Sequence, residues 1–310
     1  MVEVRRAAEL LSQGIGPAEL ARLARSGEAR RVRRGAYAFG PELGEYEDAE
    51  RHRELITASV PGLSVGAVLS HTSAAVLHGL PTWRAELQRV HVIRSRSYGG
   101  RIGQVVHVHP TRVPDSQVVE VNGVRVTSLA RTVIDLGCTL TLFRSVPLGD
   151  AALAAGLRRE ELTDVLESSR GRHGVGRARR MVAMLDPASE SVGESCSRVV
   201  MTQVGLPMPE LQFEVVTPNG ELVGRCDFYW RGRSPRSRGT LGEFDGLVKY
   251  GRLLRPGQGA GAVVTAEKER EDRLRDEGFQ LVRWTWPDLS QPDMLRQRIL
   301  RGLERGARRA

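Results

Sequence analysis

Three acidic side chains late in the chain have types and spacing that suit a divalent cation: Asp227 in ELVGRCDFYW, and Glu243 and Asp245 in TLGEFDGLVKYG. Hydrolysis of a phosphodiester needs such an ion to polarise the phosphate and lower the pKa of a bound water. Mg²⁺ or Mn²⁺ is held for this purpose by a few carboxylates plus water and substrate oxygens. Residues i and i+2 of a strand share one face, so Glu243 and Asp245 can point where Asp227 points if their strands are neighbours. Two acids on an otherwise apolar strand are costly unless they are paired or bind metal. Upstream, Glu190 and Glu194 lie four apart on a helix expected from about Ser189, and Glu194 is placed to assist as a metal ligand from the side. Lys249 and Lys268 are the only lysines among 46 basic residues. A compact ammonium is the group arginine cannot supply. Either lysine could orient the attacking water or stabilise developing charge, and the sequence does not choose between them. The competing reading pairs Glu243 and Asp245 with Arg225, Arg252 or Arg283 in a site that does not cleave.

The elements needed to position these groups are legible. LQFEVV and ELVGRCDFYW flank a Pro-Asn-Gly turn and form a hairpin; the acidic strand follows, then a helix from about Val264 to Glu277 that carries Lys268, then the strand LVRWTW. Helix, hairpin, acidic strand, helix, strand is the order of the PD-(D/E)XK core. The motifs E-S-x-x-R at Glu194 to Arg198, G-L-P-x-P at Gly205 to Pro209, D-F-x-W at Asp227 to Trp230, E-F-D-G at Glu243 to Gly246 and G-F-x-L-V-R-W-T-W at Gly278 to Trp286 resemble the uncharacterised domain family related to very-short-patch repair endonucleases. The resemblance spans residues 186–310 and implies a restriction-endonuclease-like α/β core, with Mg-dependent cleavage of DNA as its activity. One departure matters: the family's E-x-K lysine would stand where this chain has Asp245.

The charge of +9 and pI near 10.2 favour a polyanionic partner, with DNA foremost and RNA left open. At the N-terminus, apolar Ala7, Leu10 and Leu11 share a helical face, Gly14 and Gly16 break it, and Pro17 opens a second helix that Gly27 ends. ARRVRRGAYAFG then alternates as a two-stranded wing, with Val32 and Tyr37 expected inward and Arg30, Arg31, Arg33 and Arg34 crowded around Gly35 as DNA-binding candidates. The pattern is a winged helix-turn-helix; the plainer reading is a helical cap with a solvated arginine face. Arg31, Arg34, Gly35 and Tyr37, with VLSHTSAAVLHGL and VTSLARTVIDL further on, resemble AbiEi-type antitoxins of type IV toxin-antitoxin systems. That resemblance covers roughly the first 140 residues and implies, as the alternative to an endonuclease, a non-catalytic DNA-binding regulator with a cognate toxin and a degenerate nuclease fold.

At 310 residues the chain exceeds one ordinary core, which stops growing near roughly 250 to 300 residues. The expected fold is multidomain, α+β and α/β: residues 1–44 winged-helix-like, 45–185 mixed α/β and AbiEi-like, 186–310 nuclease-like. In the middle region helices are expected at Asp48 to Ser59, His71 to His78, Ser128 to Leu136, Leu148 to Ala155, Glu160 to Ser168 and Val175 to Leu185. Strands are expected at Val90 to Ile93, at Val105 to Val108 and on both sides of Asn122-Gly123. His107 and His109 share a strand face, yet no third ligand stands at suitable spacing for a metal; His71 and His78 lie on one helical face and read as packing. Arg170, Arg172, Arg177, Arg179 and Arg180 read either as a DNA-backbone grip or as a solvated helix end. No phosphate-binding P-loop is present. Three scattered cysteines suit a reducing compartment, and no segment suits a signal peptide or membrane span, so a cytoplasmic location without a membrane partner is expected. The oligomeric state is left open.

Overall fold

A computed structural model describes residues 2–40, 48–95, 100–232, 237–246 and 260–308. Among them lie twelve helices and three sheets, a mixed multidomain α+β architecture as composition and patterning predict. No helix is long and apolar enough to cross a membrane. Contacts divide the chain into two compact units, residues 1–141 with 155–183 and residues 142–154 with 184–310.

The first unit opens with β1 (Glu3–Arg6), α1 (Ala7–Ser12), α2 (Pro17–Ser26), β2 (Ala29–Arg33) and β3 (Ala36–Phe39). Pro17 starts α2, where its missing N–H costs nothing, and Gly27 ends it in the left-handed region at φ 80°. The wing has three strands rather than two, in the order β1-β3-β2, all antiparallel. The sequence reading missed β1 because Glu3–Arg6 alternates charge with a single valine. The buried face of the wing is Ala29, Ala36 and Ala38, while Val32 and Tyr37 are only half-buried. A bulge between Arg31 and Arg33 shifts the alternation, which is why the expectation for Val32 failed.

After α3 (Asp48–Ser59) come β4 (Val68–Leu69), α4 (His71–Leu77), β5 (Val90–Arg94), β6 (Arg101–Ile102), β7 (Val106–Pro110), β8 (Val118–Val121), β9 (Val124–Thr127) and α5 (Leu129–Thr139). The strands form one mixed sheet, β6-β7-β5-β4-β9-β8, with Asn122-Gly123 turning the β8-β9 hairpin. Its core holds Ile56, Leu69, Ala74, Val90, Val92 and Val126. Ser128 caps α5 by accepting from the backbone N–H of Arg131. Beneath that cap the Arg131 guanidinium reaches Asp135 at 2.9 Å, and Arg172 reaches the same carboxylate oxygen at 2.5 Å.

The chain then enters the second unit for one helix, α6 (Leu142–Ala154), returns for α7 (Arg159–Ser168) and α8 (Val175–Met184), and crosses again. The sequence places the start of α6 at Leu148; it begins six residues earlier and runs through Pro147. Proline cannot donate to the carbonyl four residues back, but Cys196 Sγ donates to that carbonyl, Phe143 O, at 3.3 Å, so the interruption is tolerated.

The remainder is α9 (Val192–Gln203), β10 (Glu210–Val216), β11 (Leu222–Trp230), β12 (Thr240–Asp245), α10 (Ala260–Asp276), β13 (Gln280–Thr285), α11 (Trp286–Leu289) and α12 (Pro292–Arg308). The sheet runs β10-β11-β12-β13, antiparallel except for the parallel β12-β13 pair. One face packs Val215, Val223, Tyr229 and Leu241 with Leu274 of α10 and Phe279. On the other face a Cβ at Gly193 of α9 would stand 1.9 Å from the Phe244 ring, so glycine is what lets this helix lie against β12.

Two buried charges join α6 to α9. Arg198 donates to Asp150 Oδ2 at 2.9 Å, and the backbone N–H of Asp186 donates to Oδ1 at 2.8 Å. Burial pushes the Asp150 carboxyl up to about 6 despite its arginine. Asp150→Ala leaves Arg198 buried without its anion and is expected to cost about 3–5 kcal/mol in chemical denaturation. The double change Asp150→Ala with Arg198→Met is expected to recover most of that loss.

Candidate functional site

The acidic constellation is built on β11 and β12, which are antiparallel neighbours with Phe228 opposite Gly242. Glu243 is buried, and both its oxygens are engaged. Arg270 of α10 donates to Oε1 at 2.6 Å and Arg283, its parallel partner on β13, reaches Oε2 at 2.7 Å. The Cys226 thiol lies 3.5 Å from Oε1, and burial, with the Glu243 charge next, pushes that thiol up to about 12. Arg283 also reaches Glu271 at 3.4 Å. Asp227 is half-buried, and its Oδ2 accepts the backbone N–H of Phe244 at 2.8 Å, locking β11 to β12. Asp245 is half-buried at the end of β12, opposite Thr285. Lys268 is exposed on α10; Lys249 and Arg252 lie outside the described residues.

The Glu194 carboxylate is occupied at its own helix terminus. Ser191 is the N-cap of α9 and accepts from the N–H of Glu194 at 3.2 Å. The Glu194 carboxylate in turn accepts from Ser191 Oγ at 2.7 Å, from the N–H of Glu190 at 2.9 Å and from Gln212 Nε2 at 2.8 Å. The S-x-x-E spacing of Ser191 to Glu194 is a capping-box signal, and it was available in the sequence. Glu190 pairs with Arg225 at 2.7 Å.

A divalent cation does not fit this arrangement on Glu243. Two guanidinium groups stand within hydrogen-bond distance of the one carboxylate, so an added Mg²⁺ would meet two like charges at short range. The carboxylate and guanidinium forks instead satisfy each other, as charge-assisted pairs do when withdrawn from water.

The wing divides its four arginines by role. Arg30 pairs with the buried Glu54 of α3, and Arg33 Nε donates to the Ala58 carbonyl at 3.0 Å. These two tie the wing to α3. Arg31, before the bulge, and Arg34, in the turn with Gly35, are exposed; Gly35 adopts φ 78°. Of the later arginines, Arg172 belongs to the Asp135 network and Arg177 donates to Cys138 O at 3.0 Å, whereas Arg179 and Arg180 are exposed on α8.

One cluster exceeds what sequence spacing suggests. β5 and β7 pair in parallel with His91 opposite His107 and Ile93 opposite His109, so a third imidazole joins the His107/His109 pair. His91 Nδ1 lies 3.0 Å from His109 Nε2. The ring of His71, at the start of α4, stacks on His109 at 3.6 Å between centroids. His78 is elsewhere, with Nε2 2.7 Å from the Thr127 carbonyl. Burial above all, then the neighbouring imidazoles, holds His91 at about 4 and His109 at about 2; the same causes hold His71 well below the usual histidine value. Burial also lowers His107. All four are therefore neutral near pH 7. The signal for His91 was the repeated Val-His-Val at residues 90–92 and 106–108, which becomes informative only once the strands are known to pair in register.

Residues 6–40 match the family model for the transcriptional regulator, AbiEi antitoxin, a stretch that holds α1, α2, β2 and β3. Two uncharacterized proteins from two strains of Mycobacterium tuberculosis are each 29% identical to this chain over 242 residues, which is 77% of this chain and 82% of theirs. That likeness extends far beyond the matched N-terminal segment.

The division of the wing arginines is directly measurable. Arg31→Ala and Arg34→Ala are expected to change folding stability by no more than about 0.5 kcal/mol, as exposed substitutions do. Arg30→Ala, which strands the buried Glu54, is expected to cost about 3 kcal/mol by urea denaturation.

Proposed function

We propose that this chain is a DNA-binding regulator of the antitoxin kind, whose wing contacts the phosphate backbone through Arg31 and Arg34 and whose nuclease-like C-terminal unit does not hydrolyse DNA. The observation that carries this reading is the pair of solvent-facing arginines around the Gly35 turn, inside the segment that matches the antitoxin regulator model. A wing tip of this form presents planar donors to phosphate oxygens, while Arg30 and Arg33 hold it in place from behind. The closed pairing of Glu243 with Arg270 and Arg283 supports the non-hydrolytic half of the proposal. The antitoxin reading brings with it a cognate toxin as protein partner.

Binding to a duplex carrying the promoter of the chain's own gene should be specific and salt-sensitive. Arg31→Ala and Arg34→Ala should each flatten the dependence of log affinity on log salt by about one unit and weaken binding. Equal affinity for every duplex, or a salt slope unchanged in the double variant, would refute the proposal.

A second reading has its own support. What supports it is the order of α9, three antiparallel strands, α10 and the parallel β13, the order a PD-(D/E)XK resemblance leads one to expect, with Asp227 and Glu243 on adjacent strands. In it Asp227, Glu243 and Asp245 hold Mg²⁺ or Mn²⁺, Glu194 assists and Lys249 or Lys268 serves the water. It requires Arg270 and Arg283 to leave Glu243, and Glu194 to leave the Ser191, Glu190 and Gln212 donors that occupy its carboxylate. Incubation with supercoiled, linear and single-stranded DNA plus Mg²⁺ or Mn²⁺ separates the two: the regulator reading expects intact DNA, whereas cleavage abolished by Asp227→Ala would establish the second.

A further inference from the structure

We infer that His91, His107 and His109 form a binding site for one divalent transition-metal ion of the zinc class, independent of the acidic residues of the C-terminal unit. One ring nitrogen from each of the three residues lies within 4.8 Å of the others. A tetrahedral zinc site with metal-nitrogen bonds of roughly 2.0–2.1 Å needs ligand nitrogens about 3.3 Å apart, so side-chain rotation of small extent closes the triad around an ion. Ligand chemistry selects the class of metal. Three imidazoles with no carboxylate among them suit zinc, copper, nickel or cobalt and reject Mg²⁺ and Ca²⁺, which take oxygen.

The backbone under the triad is fixed from several directions. β5 and β7 are held in register over five residue pairs. The Ser70 N–H donates to the His91 carbonyl at 3.0 Å, and the His91 N–H donates to Ser73 Oγ at 2.8 Å. Ser73 Oγ in turn lies 2.8 Å from Nε2 of the buried His52. The His71 ring, its Nδ1 2.9 Å from Ser70 Oγ, lies flat on His109 at an interplanar angle of 14° and so fixes that ring's orientation. Ligands held this way lose little freedom when an ion enters.

His91 Nδ1 and His109 Nε2 stand 3.0 Å apart, one ring donating and the other accepting, and an ion entering the triad takes the place of that shared proton, which is released. Three protein ligands leave a fourth position for water or an anion, which is the ligand count of a reactive or exchangeable site rather than of a closed structural one.

The test uses the full chain, stripped with a chelator and titrated with Zn²⁺ in competition with a chromophoric chelator, and with Co²⁺ read by visible absorption. One ion per chain is expected, with the strong d–d bands of four-coordinate cobalt. His109→Ala and His107→Gln should each weaken Zn²⁺ binding by at least about 100-fold, more than is lost when a ligand's own hydrogen-bond partner is removed. His107 is the less buried of the two positions, so His107→Gln keeps the test valid if His109→Ala does not fold. On the wild-type chain, Zn²⁺ should protect peptides spanning residues 90–110 from histidine acylation. The double change Asp227→Asn with Glu243→Gln should leave binding unchanged. No stoichiometric binding, binding undiminished by the histidine variants, or binding abolished only by the acidic double variant would each overturn the assignment.

Discussion

Taking a carboxylate out of water costs several kcal/mol unless a donor follows it in, and in this chain the donor is almost always a guanidinium. Glu54 meets Arg30, Asp135 meets Arg131 and Arg172, Asp150 meets Arg198, and Glu243 meets Arg270 and Arg283. Apart from Arg131–Asp135 within α5, these pairs link elements distant in sequence: wing to α3, α5 to the segment before α8, α6 to α9, and β12 to both α10 and β13. With only two lysines in the chain, a planar cation that cannot lose its proton is what the fold has available for this purpose. The directional demands of these forks fix how helices dock on sheets, while the apolar clusters supply the burial that makes them necessary.

That constraint also governs how the acidic constellation should be understood. Asp227, Glu243 and Asp245 stand on adjacent strands, where a phosphodiester hydrolase would want them, but the central carboxylate is matched by two arginines and Asp227 clamps the backbone of the next strand. The same residue types in the same order can hold a metal or hold a sheet together, and the partners on the neighbouring helix and strand decide which.

Much of this was legible in the sequence wherever a local rule governed the outcome. The Gly16-Pro17 start and Gly27 end of α2, the Ser128 cap of α5, the Asn122-Gly123 hairpin and the order of elements from α9 to β13 follow from turn chemistry and periodicity. What sequence hid was long-range pairing. β1 lacks an apolar alternation of its own and exists because β3 offers it a partner. Pro147 masked the first turns of α6, and the thiol that compensates lies about fifty positions onward. The carboxylate of Glu194 invited a ligand reading when its capping role was encoded three residues away. His91 became interpretable only through a parallel register that no local pattern specifies.

The excursion of the polypeptide into the second unit for α6, followed by its return for α7 and α8, makes the two units topologically interlaced, with three crossings of the main chain between them. A fragment starting near residue 186 would lack the helix that covers α9 and would leave the Arg198 guanidinium without its counter-ion. A fragment ending there would carry α6, most of it buried in the whole chain, without the α9 it packs on. Proteolytic cleavage at that seam would therefore leave α6 and α9 on different pieces, each with a buried face uncovered.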